Sequence, residues 1–109
     1  YKMSKKYEPL TESYYYILLC LYKGPNHGYG IMQETKKLSN DRVNIGSGTM
    51  YTAVSKMIKK GWIKDSDSVK EDDRRRTYEI TLDGIDILSQ EIERLKELLN
   101  SAKIIKNQG

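Results

Sequence analysis

The stretch TLDGIDILSQEIERLKELLNSAKIIKNQG, residues 81–109, constrains the fold more than any other. Ile85, Leu88, Ile92, Leu95, Leu99 and Ala102 recur at alternating intervals of three and four residues, which places them on one face of a long helix. Ile87, Leu98 and Ile105 widen that stripe. The spacing is heptad-like, but about two and a half heptads is shorter than a free-standing coiled coil requires. Such a helix needs a cover. A chain of 109 residues is one domain by length and holds one modest core. It is too short to cover the whole stripe, so a second copy of the chain is the expected partner.

Three shorter helices precede it. In LTESYYYILLCLYKGPNHG, Thr11 can cap a first helix whose apolar positions are Tyr14, Ile17, Leu18 and Leu21, and Gly24-Pro25 stops it. NHGYGIMQETKKLSND reads as a second helix. Asn26 or His27 caps it, Tyr29, Ile31, Met32 and Leu38 form its apolar side, and Asn40-Asp41 ends it. Gly28 and Gly30 weaken its start, which points to a close neighbour there. After the connector RVNIGSG, Ser47 is expected to cap a third helix with Met50, Val54, Met57 and Ile58 inward and Gly61 at its end. A hairpin follows: Trp62-Ile63-Lys64 as one strand, a polar tip over residues 65–73, and a return strand over residues 75–80. On that return strand Arg76, Tyr78 and Ile80 share one side. Thr81 closes the hairpin and caps the last helix.

Composition excludes several classes. Hydrophobic residues are 38% and charged residues 31%, as in globular proteins rather than membrane or disordered ones. The opening YKMSKKYEPL has no apolar signal core, so a cytoplasmic protein is expected. Cys20 lies in an apolar run and reads as a small core residue. His27 has no partners at metal-ligand spacing, so no metal site is expected and a structural role fits it better. No Cys/His pair, phosphate loop or acidic constellation suggests catalysis, so neither an enzyme nor a cofactor is expected.

The net charge of +4 permits a polyanionic partner without demanding one. Its placement says more. Eight Lys/Arg fall between Lys56 and Arg76, bracketing the acids clustered in residues 65–73. Helices two and three with their short connector read as a helix-turn-helix, and the hairpin as a wing. The expected fold is mainly α with a small β-hairpin: a winged helix-turn-helix over residues 9–81 plus a long C-terminal dimerisation helix over residues 82–107, compact as one domain. The major groove of double-stranded DNA admits one helix, with short side chains near the bases and cations near the phosphates. Ser47, Thr49 and Thr52 stand near the start of helix three, where backbone N–H groups and the helix dipole attract phosphate. Lys56, Lys59 and Lys60 follow, and Arg74, Arg75 and Arg76 suit phosphates or a narrow minor groove. A winged-helix protein–protein interaction module is the alternative reading, against which these basic groups argue.

Together, LTESYYYILLCLYKGPNHGYGI, GSGTMYTAVSKMIKKGWI and RRRTYEITLDG resemble PadR-type transcriptional regulators of the short form without an added C-terminal ligand domain, over residues 9–99. The resemblance implies a homodimeric bacterial repressor whose dimer is built from the last helix together with the first. It implies that helix three reads the major groove, that residues from Lys70 to Arg76 lie along the wing, and that Tyr51 contacts phosphate or packs under the wing. Tyr78 belongs to the matching strand motif. Many relatives release DNA on binding a small aromatic or drug-like effector, and some stack it on a tryptophan of the last helix. This sequence departs there, since its one tryptophan, Trp62, begins the wing. Tyr14, Tyr15 and Tyr16 are the alternative candidates to line an effector pocket against the last helix.

Overall fold

The computed structural model describes residues 8–66 and 76–108. Lys70, Arg74 and Arg75, expected on the wing, lie outside the described residues, as does most of the polar tip.

Helix α1 (Glu12–Lys23) starts where Thr11, in extended backbone, accepts the Tyr14 N–H on its hydroxyl at 3.1 Å. Gly24 ends it, donating its N–H to the Leu21 carbonyl. A short strand, β1 (Asn26–His27), leads into helix α2 (Gly28–Leu38). His27 caps α2 through its ring: Nδ1 accepts the Gly30 N–H at 3.0 Å, while the Asn26 side chain accepts the N–H of His27 at 2.8 Å. The neighbours expected of the two glycines are these two side chains at Gly30, and only Met50 at Gly28. Asn40 and Asp41 terminate α2 in left-handed backbone, φ 54° and 66°, where Asn and Asp are tolerated best. The Asp41 N–H closes the helix end on the Lys36 carbonyl at 2.8 Å.

Two expectations for these helices need correction. In α2 the inward pair is Ile31 and Thr35, both fully buried, while Tyr29 and Leu38 are exposed. The reason lies in α1: Cys20 faces the Ile31 carbonyl and the Thr35 hydroxyl, which sets the packing line one step round the helix. In helix α3 (Ser47–Lys60) the cap is Gly46, whose carbonyl takes the Met50 N–H at 2.8 Å, and no side chain caps the first turn. Ser47 is the first residue of the helix itself. The end of α3 is as expected, with Gly61 at φ +80° and the N–H groups of Gly61 and Trp62 bonded to the Ile58 and Met57 carbonyls.

The sheet has three strands in the order β1-β3-β2, all antiparallel, with β2 (Ile63–Asp65) and β3 (Thr77–Ile80) forming the wing base. Ile63 pairs with Ile80, Lys64 with Glu79 and Asp65 with Tyr78, while β1 flanks the other side of β3. The strand β1 was not expected, because two residues carry no periodicity. The first wing strand also begins one residue later than expected. Trp62 is excluded because its N–H belongs to the α3 end and its carbonyl accepts the Thr81 N–H at 3.0 Å. Asp65 is correspondingly a strand residue, not part of the tip.

Ile17, Leu18 and Leu21 of α1, Ile31 of α2, Met57 of α3 and Ile63 of β2 form the driest part of the core, joined by Met50, Val54, Tyr78 and Leu88. Helix α4 (Leu82–Gln108) leaves this core along most of its length: only Gly84, Leu88 and Glu91 are buried. Its start is fixed by Thr81, whose hydroxyl accepts the Gly84 N–H at 3.1 Å and donates to the Gly61 carbonyl at 2.6 Å. Gly84 lies against the backbone just after α3. A Cβ there would collide with the Trp62 carbonyl and come within 2.7 Å of Ile80 Cγ1. Backbone cannot yield as a flexible side chain does, so Gly84→Ala is expected to destabilise the protein by about 1–3 kcal/mol, the usual effect of overpacking. A thermal or denaturant melt matching that of the wild type would show that α4 does not sit this close to α3.

Candidate nucleic-acid interface

Helix α3 is two-faced. Met50, Ala53, Val54 and Met57 enter the core. Ser47, Thr49, Tyr51, Thr52, Ser55, Lys56, Lys59 and Lys60 are exposed, and the helix carries no acid. The residues proposed from sequence on this helix, Ser47, Thr49, Tyr51, Thr52, Lys56 and Lys59, are therefore all at the surface. With Gly46 as cap, no side-chain hydrogen bond caps the first turn among the described residues, so its N–H groups and the positive end of the helix dipole can take an external acceptor. Beside them runs a shallow depression of about 540 Å³, lined by Tyr14, Gly48, Thr49, Thr52, Ala53 and Lys56. Lys60 is turned away from it, its ammonium 5.2 Å from the Trp62 ring centre.

At the wing base, Arg76 grips Asp65 with two guanidinium nitrogens. Nε and Nη2 donate to Oδ1 at 3.0 and 2.8 Å, and Nη2 also donates to Oδ2 at 2.9 Å. The guanidinium lies over the Tyr78 ring, 5.3 Å from its centre. These hydrogen bonds to Asp65, and then the neighbouring Tyr78, hold the Arg76 proton more firmly than usual, with a smaller contribution from Tyr51. Tyr51 is thus near the wing but is not packed beneath its described strands, since it is 71% exposed. Sequence reasoning missed Asp65, which looked like one more acid in a polar tip. Only the strand register reveals that it stands opposite Tyr78, two residues beyond Arg76.

Of the tyrosines of α1, the three consecutive ones, Tyr14, Tyr15 and Tyr16, separate. Tyr14 points toward α3 and meets Trp62 edge-on at 6.4 Å. Tyr15 and Tyr16 line a cavity of about 300 Å³ facing α4, with Leu10, Glu12, Arg42, Glu91, Arg94 and Leu95 as its other walls. Burial, with Tyr16 and Glu91 nearby, raises the Tyr15 pKa above that of a free phenol. Glu91 is almost fully buried and paired with Arg94 at 2.8–2.9 Å. A charged pair inside an apolar helical stripe left no signal in the hydrophobic spacing, so these two residues were missed as well.

The stripe on α4 divides in the same region. Leu88 is taken up by the core of its own chain, Ile92 packs at the core's edge and Ile85 is half-buried. Leu95 and Leu99 are exposed at 38% and 57%, with Leu98, Ile104 and Ile105 around them. Cys20 is buried, and burial raises its thiol pKa, as suits a core position. Among the described residues no group of His, Cys, Asp or Glu could hold a metal ion, and no helix is long and apolar enough to cross a membrane.

An exposed acid-free helix, a preceding helix at its side and a hairpin behind it define a winged helix-turn-helix. Residues 17–90 match the sequence model of the transcriptional regulator PadR-like family. The chain belongs to this family of non-enzymatic, DNA-binding transcriptional regulators. Among solved structures, it is similar to a transcriptional regulator from Clostridium thermocellum, 28% identical, with 87% of each chain covered and a TM-score of 0.68. It is also similar to a PadR-like transcription factor from Bacteroides fragilis, 25% identical, covering 84% of this chain and 87% of that one, TM-score 0.68. The RosR protein of H. salinarum, 21% identical, shares the fold over 94% of this chain and 96% of its own, TM-score 0.65. Comparison with curated proteins finds no match.

Because Tyr51 is so exposed, truncating it is expected to leave the fold intact. Tyr51→Ala should change unfolding free energy by no more than about 0.5 kcal/mol. A larger loss in a chemical melt would mean that the ring supports the wing after all.

Proposed function

We propose that this regulator is a sequence-specific repressor that binds inverted-repeat operators as a homodimer and is released by a small aromatic or drug-like effector. The observation that carries the reading is the pairing of two surfaces in one chain: the exposed basic face of α3, and the exposed apolar outer half of α4. In this reading residues 9–81 hold the DNA. Ser47, Thr49, Tyr51, Thr52, Lys56 and Lys59 of α3 enter the major groove, and Lys70, Arg74, Arg75 and Arg76 of the wing follow the backbone. Residues 82–107 join two copies, and Ile85, Leu88, Ile92, Leu95 and Leu99 are the seam assigned to that contact. The support for the seam is strongest at Leu95 and Leu99, where apolar area stays in water in the single chain. Two-fold symmetry would then set the half-sites one helical turn, or a multiple, apart. The cavity lined by Tyr15 and Tyr16 also borders Leu95 of the same seam, which supports it as the effector site. An occupant there would change the angle between two recognition helices, coupling effector and DNA affinities reciprocally. The regulator works in the cytoplasm, where the DNA is.

Purified protein mixed at moderate salt with sheared DNA of its own source, followed by sequencing of the retained fragments, tests the central claim. An enriched inverted repeat is expected, and retention without any preferred sequence would sink it. On the enriched site, a Lys56→Gln, Lys59→Gln double variant should bind more weakly and flatten the dependence of log affinity on log salt by about 2, one counterion per lost phosphate contact. An unchanged slope would remove those lysines from the interface.

The dimer has its own test. Leu95→Asp and Leu99→Asp place charge in the proposed seam at positions that the single chain leaves in water. Sedimentation should show monomers that keep wild-type helicity. Dimers of undiminished strength would move the contact elsewhere.

A further inference from the structure

We infer that Asp65 is a positioning residue for DNA binding, holding Arg76 so that the open side of its guanidinium meets a backbone phosphate beside α3. The inference rests on the DNA-binding reading above and extends it to a residue of the wrong charge for that task.

Three observations converge at this point. The contact between Asp65 and Arg76 is a fork: it engages Nε and Nη2, with all three distances between 2.8 and 3.0 Å. Nη1 makes no hydrogen bond among the described residues, so the planar cation keeps donors for a second anion. A guanidinium held on one edge by a carboxylate is thereby fixed in plane and azimuth for an acceptor on the other. The Tyr78 ring supports the guanidinium at 5.3 Å, and Tyr78 is itself buried and paired with Asp65 across the sheet. Two paired strands thus carry the groups: Asp65 ends β2, Tyr78 lies in β3, and Arg76 stands just before β3. Finally, the pair lies at the surface. Arg76 and Asp65 are 58% and 59% exposed, and an ion pair that open adds little to folding. What it does is order a long side chain that would otherwise sample many rotamers, and binding is spared that ordering cost.

Plain electrostatics predicts the opposite consequence. An acid beside DNA repels phosphate, so removing its charge should tighten binding. The neighbouring rung supplies the control: Glu79 is an acid on the same hairpin, 3.5 Å from Lys64, and it makes no fork to an arginine.

The test is affinity for a mixed-sequence DNA duplex, measured over a series of salt concentrations, for the wild type, Asp65→Asn, Arg76→Lys and Glu79→Gln. Circular dichroism and melting confirm that each variant is folded. Asp65→Asn is expected to bind about three- to tenfold more weakly, although it gains a net positive charge. Arg76→Lys, which keeps its charge and loses the fork, should weaken binding to a similar degree, whereas Glu79→Gln should bind as well as the wild type or better. In an Arg76→Gln background, the loss caused by Asp65→Asn should disappear. Folded Asp65→Asn that binds as tightly as the wild type, or tighter, overturns the inference and leaves the DNA-binding reading standing. Wild-type protein that binds no duplex at low salt overturns both.

Discussion

Thr81 ties three parts of the chain together at one point. Its hydroxyl donates to the last carbonyl of the α3 turn, at Gly61, and accepts the N–H of Gly84 in the first turn of α4. Its own N–H closes on the carbonyl of Trp62, where the wing begins. A hydroxyl is suited to this because it donates and accepts at once, and each of these backbone groups would otherwise be an unmatched helix-end group. Helix α3, the wing and the long helix therefore share a common anchor. The left-handed turn at Gly61 brings the chain to that anchor, and the bare Gly84 lets α4 come close enough to use it.

From that anchor the two halves of the chain divide their work by chemistry. On the α3 side, polar residues are left in water with lysines and no acid. On the α4 side, leucines and isoleucines are left in water beyond the reach of the core. Neither surface is satisfied within one chain. The acids that accompany the basic groups are not scattered: Asp65 and Glu79 each oppose a cation on the wing base, and Glu91 is held by Arg94 inside the α1–α4 cleft. Helix α3 itself carries three lysines, all exposed, and no acid.

Most of the architecture was legible because it is written in short-range chemistry. Helix ends at Thr11, Asn40-Asp41, Gly61 and Thr81 are set by cap and turn residues a few positions apart, and the α1 and α3 stripes follow from spacing alone. What escaped depends on contacts between distant segments. The buried line of α2 runs through Thr35 rather than Tyr29 and Leu38 because Cys20, on another helix, meets a small hydroxyl there. Strand β1 exists only because β3 lies alongside it. The cap of α3 passed from Ser47 to Gly46 because the backbone took the extended conformation one residue earlier. At the candidate interface the exposed face of α3 was readable as a list of residues, but the fork of Asp65 on Arg76 is a matter of strand register, which a string of mixed charges does not disclose.

The closeness of α4 to the chain at Trp62 has a mechanical consequence. With no Cβ at Gly84, the base of α4 lies against the Trp62 backbone just after α3, with the Ile80 side chain beside it, and there is little room for a relative slide. Helix α4 spans 27 residues, so it is a shaft of about 40 Å. A tilt of about 10° about its base would sweep its far end through about 7 Å, and the same tilt applied at the far end would return to α3 as rotation rather than be lost in soft packing. The protein is built less like a reading head on a flexible arm than like a crank, whose handle and bit are one piece.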